Sequence, residues 1–139
     1  QELHLTEMPY GAFGENFTTC GLLEDEVCIG DIFKAGETIV QVSQPRQPCW
    51  KIERRWGIKD FVVRMKQTGR TGWYFRVLQE GYAEAGNIFV LTERAFPQYT
   101  VAIAYGIMRN RKTHSKEAQA LAQCPALSPR WQENLRSVK

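Results

Sequence analysis

The residue whose surroundings best suit metal or nucleophilic chemistry is Cys49, at the end of Gln44-Pro45-Arg46-Gln47-Pro48-Cys49. Two prolines three apart stiffen the backbone ahead of it and forbid a central strand or helix there. A thiol emerging from such a frame is held in one direction at small entropic cost. Arg46 can lower a thiol pKa or bind an anion beside it. A thiolate so placed suits a soft, redox-active metal centre. Cys49 also reads as a small buried hydrophobe, and on the residues alone that is the commoner fate of a cysteine.

The second candidate is the loop Gly11-Ala12-Phe13-Gly14-Glu15-Asn16. Its glycines could aim backbone N–H groups at a phosphate or a pterin, or could simply make a turn. No Gly-Lys-Ser/Thr follows, so it is not a nucleotide phosphate loop. The other cysteines (Cys20, Cys28, Cys124) and the histidines (His4, His114) show no CxxC or HxxxH spacing, which argues against a zinc site. Neither histidine supports a Ser-His-Asp set. The four tryptophans read as packing residues rather than a stacking platform.

Composition bounds the setting of these residues. A hydrophobic fraction of 43% and a charged fraction of 24% are ordinary for a globular protein. No apolar run approaches the length of a membrane span and no secretory leader is evident, so a reduced, cytoplasmic protein is expected, with any important thiol acting alone. Net charge is +3, unevenly spread: residues 97–139 hold seven Lys/Arg against Glu117 and Glu133, a balance of +5. A basic tail can serve nucleic acid or an anionic partner. Dispersed through helical patterns, it reads more simply as solvated helix faces.

The elements that must position Cys49 follow from periodicity. Residues 10–22 read as a glycine loop followed by a short strand. Val27–Phe33 and Thr38–Ser43 read as strands joined by a hairpin at Lys34-Ala35-Gly36-Glu37. Residues 60–67 read as a helix capped by Asp60 and stopped at Gly69. Gly72–Leu78 and Asn87–Leu91 complete a region that is mostly β. Beyond Pro97, Val101, Ala104, Tyr105 and Met108 recur at helical spacing behind Thr100. A second helix covers 116–123 after Ser115. A third opens at Ser128-Pro129 and continues through Trp131, Leu135 and Val138.

Read in order, the blocks Phe13-Gly14-Glu15-Asn16-Phe17-Thr18-Thr19, Gly21-Leu22, Val27-Cys28-Ile29-Gly30-Asp31 and Val42-Ser43-Gln44-Pro45-Arg46-Gln47-Pro48-Cys49-Trp50-Lys51 resemble MOSC-domain proteins. Met65 to Trp73 and the three-helix tail are similar to the YiiM type of that family. The resemblance runs from about Tyr10 through nearly the whole chain. It implies a mainly β fold with appended helices: a partial MOSC-type β-barrel over residues 1–96, then a small three-helix module over 97–139. The family's upstream strands, including a His-Gly-Gly segment, find no match, so the chain is expected to correspond to the C-terminal portion of the domain.

The resemblance further implies a molybdenum cofactor (molybdopterin) with Cys49 as the metal ligand and catalytic residue. Asn16 matches an asparagine near the cofactor. Arg46 is the candidate for anion or pterin-phosphate contact, and Gly14 and Glu15 complete the implied cofactor-binding set. The implied activity is reduction of N-hydroxylated substrates such as N-hydroxylated purine bases, an oxidoreductase that detoxifies base analogues. Its implied partners are a flavoprotein electron donor and the small-molecule substrate; membrane and nucleic acid are not among them. Two other readings stay open: a cofactor or sulfur carrier without its own turnover, and an interaction module built on the basic tail.

Overall fold

A computed structural model of the chain describes residues 8–137. Its strands β1 (Ile32–Ala35), β2 (Thr38–Pro45), β3 (Trp73–Gln79) and β4 (Phe89–Glu93) form one sheet in the order β3-β2-β1-β4. All three pairings are antiparallel. The β1–β2 hairpin turns at Gly36 as its sequence demands. Gly36 has φ +58°, and a Cβ there would lie 2.6 Å from both the Tyr82 carbonyl and the Asn87 side chain. Central β2 buries Val40 and Val42 while Ile39 and Gln41 on its other face stay partly exposed, an alternation that ends at Ser43, which is buried. The strand persists to Pro45, opposite Trp73; a proline is tolerated there because the strand ends at it.

Five helices accompany the sheet: α1 (Trp50–Trp56), α2 (Phe61–Thr68), α3 (Val101–Arg109), α4 (Ser115–Ala122) and α5 (Pro129–Arg136). Thr100 caps α3, accepting from the Ile103 N–H at 3.1 Å. Ser128 caps α5, with Pro129 in its first turn. None of the described helices is long and apolar enough to cross a membrane.

The expected mainly β, barrel-type architecture is not what forms. Among the described residues the sheet is open and unclosed, and helix exceeds strand, 31% against 20%. Three local causes account for the difference. Residues 10–22 form turns and bends instead of a strand. The stretch before Ile32 is taken up by a turn: Gly30 adopts φ +86° and the Asp31 carboxylate accepts the Cys28 N–H at 2.8 Å. Trp50–Trp56, where periodicity predicts no element, winds into α1, ended by Gly57 in the left-handed region.

Two apolar clusters result. The larger joins the inner face of the sheet (Phe33, Val40, Val42) to Val101, Leu121, Trp131 and Leu135 of the tail helices. Rings from both edge strands meet over that face, Phe75 against Phe89 at 5.8 Å, and Phe17 lies edge-on to both. The tail is also pinned to β2 through the Ser128 N–H to the Ser43 carbonyl, 3.0 Å, and the Ser128 hydroxyl to Gln44 Oε1, 2.6 Å. The smaller cluster, Ile52, Phe61 and Met65, lies between α1 and α2, and Phe13 and Trp56 pack onto it.

Candidate functional site

The loop from Met8 to Thr19 faces Met65, Arg70, Thr71 and Trp73 across a cleft of about 630 Å³. Within the loop, Glu15 acts as an internal anchor. Its carboxylate accepts the N–H groups of Gly11 and Phe13, each at 2.8 Å, and the Thr18 hydroxyl at 3.1 Å. Burial pushes this carboxyl up, but bonds from its own N–H, those of Phe13 and Gly11, and Thr18 outweigh burial. They hold it below the ordinary value. The Ala12 and Gly14 N–H groups close turns onto the carbonyls of Pro9 and Gly11. The four N–H groups of Gly11–Gly14 are therefore engaged within the loop, which offers a ligand side chains rather than a cradle of free amides.

Two side chains from distant sequence lock the loop in place. Arg46 Nη2 donates to the Phe13 carbonyl at 2.6 Å, and Trp56 Nε1 donates to the Ala12 carbonyl at 2.8 Å. The Arg46 backbone N–H is held by the Gly72 carbonyl at 2.9 Å, so loop, proline segment and the start of β3 are stitched together. Gly14, Glu15, Asn16 and Arg46 all line the cleft. Asn16 is exposed and free to face a ligand. Cys49 does not line it: exposed, it occupies the N-cap position of α1, three residues beyond Arg46. The buried-hydrophobe reading of this cysteine is thereby excluded, and all four cysteines are free thiols.

Some residues of the site had weak or unused sequence signals. Thr71 and Trp73 wall the cleft, and the indole N–H of Trp73 is buried without a hydrogen-bond partner. The Gly-flanked Gly69-Arg70-Thr71-Gly72 was a readable loop signal. Glu53 replaces Asp60 as the cap of α2, accepting the Val62 N–H at 2.9 Å, while Asp60 sits at φ 60° with no side-chain cap bond. Outside the cleft, Asp31 is fully buried and gripped by Arg94 through Nε–Oδ1 at 2.9 Å and Nη2–Oδ2 at 2.6 Å. It is a structural clamp between β1 and the chain after β4. His114 bonds Thr113, and His4 lies outside the described residues.

Comparison with known proteins places these observations. The model of the MOSC domain matches residues 1–90. The chain belongs to the MOSC domain family. The crystal structure of YiiM from Geobacillus stearothermophilus superposes with a TM-score of 0.89 at 44% identity, covering 93% of this MOSC chain and 66% of that one. YflK of Bacillus subtilis is 41% identical over 128 residues, covering 92% of this chain and 58% of YflK. A protein of Gibberella moniliformis named "Reductase" is 37% identical over 118 residues, covering 84% of this chain and 20% of that protein. The chain thus spans less than two-thirds of the length of these curated relatives.

Membership links the chain to molybdenum-cofactor chemistry, and the donor set can be weighed against such a group. Among the described residues, no three His, Cys, Asp or Glu side chains converge as a metal site. A cofactor that brings its own dithiolene sulfurs asks the protein for only one thiolate, plus donors for polar and anionic substituents. The exposed Cys49 thiol, the Arg46 guanidinium and the unpartnered Trp73 N–H are donors of the required kinds. The chemistry fits.

Proposed function

We propose that the chain carries the cysteine-bearing part of a molybdenum-cofactor-dependent reductase of N-hydroxylated compounds, N-hydroxylated purine bases among them. One observation supports this reading above the others. Asn16 and Arg46, thirty residues apart, line one cleft, and Arg46 is fixed at 2.6 Å to the loop that precedes Asn16. The sulfur-ligand candidate follows Arg46 by three residues.

When bound, the cofactor supplies two-electron redox chemistry at its metal. Cys49 contributes the protein thiolate, on a backbone held rigid by Pro48 and by the start of α1. Arg46 keeps the Gly11–Asn16 loop closed and adds positive charge for a phosphate or oxyanion. Asn16 offers an amide that can both donate to and accept from a polar ligand. Glu15 and Gly14 shape the loop from within. A flavoprotein is the proposed source of electrons.

A carrier role, passing cofactor or sulfur to another protein, is favoured by the exposure of Cys49 and its position outside the cleft lining. Turnover separates the two. Metal-loaded protein with a chemical reductant should convert an N-hydroxylated adenine to the amine, and Cys49→Ala should abolish conversion. Loaded protein that holds metal yet never turns over would establish the carrier.

A further inference from the structure

The charge of this molecule is concentrated where its composition alone does not show it. Residues 46–70 carry eight Lys/Arg against Glu53 and Asp60, a local balance of +6. Glu53 is the sole acid within α1 and α2, and it faces inward to cap α2. Nothing in the helix pair therefore neutralises the cations on its surface.

On α1 the division of faces is sharp. Ile52 is buried, with Glu53 and Trp56 half-buried, on one side. At 100° per residue, Trp50, Lys51, Arg54 and Arg55 fall together on the opposite arc, and all four are exposed. Among the described residues none of these three cations has an ion-pair partner; Arg54 instead lies over the Trp50 ring at 5.9 Å. Trp50 itself is 59% exposed. A bare tryptophan ringed by arginines is the composition of an interface anchor.

We infer that this face of α1, Trp50 with Lys51, Arg54 and Arg55, docks an acidic protein partner that delivers electrons to the site beginning at Cys49. The inference rests on the reductase reading for the partner's role, but the docking surface is argued from charge and exposure. The face adjoins the candidate thiol directly, so a partner seated on it comes close to the sulfur. A two-turn helix is about 10 Å long. That length tracks only about three phosphates of one strand, which favours a compact acidic protein surface over nucleic acid. Acidic carboxylates meeting unpaired cations would steer encounter and give a salt-dependent affinity.

The test uses the purified chain and oxidised flavodoxin, a small acidic flavin protein, with affinity followed against ionic strength. The wild type should bind, and weaken about tenfold or more from low to roughly physiological salt. The triple variant Lys51→Glu/Arg54→Glu/Arg55→Glu should lose about tenfold or more at low salt, and Trp50→Ala should also weaken binding. Lys116→Glu/Arg130→Glu, on the tail helices, should stay within about twofold. Circular dichroism melts must show each variant folded. Cys49→Ala should dock normally, so loss of turnover there and loss of docking here are separate failures. Absence of salt-dependent binding, or equal loss in the tail control, would overturn the inference. Tighter binding of a single-stranded oligonucleotide than of flavodoxin, lost in the same triple variant, would overturn it in favour of nucleic acid.

Discussion

Around β2 the molecule is held by burial: Val42, Val101, Leu121 and Leu135 are fully enclosed, and the tail helices share the core of the sheet. On the helix side of the cleft the buried cluster is small, Ile52, Phe61 and Met65 between two short helices. There the order comes from single directed bonds, Arg46 to Phe13, Trp56 to Ala12, Glu53 to Val62 and Glu15 to its own loop. The contrast teaches where each function of the sequence resides. Burial is tolerant of detail and fixes the frame, whereas the cleft wall depends on particular polar atoms and can be altered without dissolving the frame.

The sharpest break between the two regions should come from truncating the large core. Leu121→Ala removes a fully buried side chain of α4 and should destabilise the protein by about 2–5 kcal/mol, read by chemical denaturation. Asp31→Ala leaves the Arg94 guanidinium without its carboxylate and the Cys28 N–H without its acceptor. Because Arg94 is partly solvated, a loss of about 3 kcal/mol is expected, again as a shift of the global transition.

Changes at the cleft should be smaller and local. Arg46→Ala frees the Phe13 carbonyl and should cost about 1–2 kcal/mol globally. Hydrogen exchange at Gly11 and Phe13 should rise much more than exchange in β2. If β2 exchanges as readily as the loop, the two regions are one cooperative unit and the contrast fails.

Glu15 gives the smallest effect and a pH signature. Its carboxyl lies below its ordinary value in the fold, so its stabilisation of the loop is complete above the ordinary Glu range. It is lost as pH falls through the lowered value. Protection of the Gly11 and Phe13 amides should fade on acidification in the wild type, and Glu15→Gln should flatten that dependence.

The sequence was most legible where a local rule had no competitor. Thr100 and Ser128 cap the helices they precede, and Gly36 turns the hairpin, because each signal acts within a few residues. Legibility failed where a distant atom intervened. Asp60 looked like the cap of α2, but Glu53 from the preceding helix supplies the bond. The glycine loop looked able to present amides, but Glu15 and the loop's own turns occupy them. The β-branched run predicts a strand over Val27–Phe33 and the resemblance implies a barrel, yet Gly30 and the Asp31 anchor divert the chain before Ile32. Trp50–Trp56 has helix signals of its own, two arginines in the last turn and Gly57 beyond, but at seven residues it is too short to show a helical period. The ordered motif blocks pointed to the right family. That Cys49 lies on the surface beside the cleft, rather than in its lining, required the structure.

The central claim is that Cys49 and the cleft beside it hold a molybdenum cofactor. Elemental analysis of protein purified from a host that makes the cofactor tests it most directly, with Cys49→Ala prepared in parallel. The wild type should carry molybdenum at roughly one atom per chain, one protein thiolate per metal, and Cys49→Ala should lose most of it. Wild-type protein free of molybdenum, beside a loaded relative from the same host, would contradict the account.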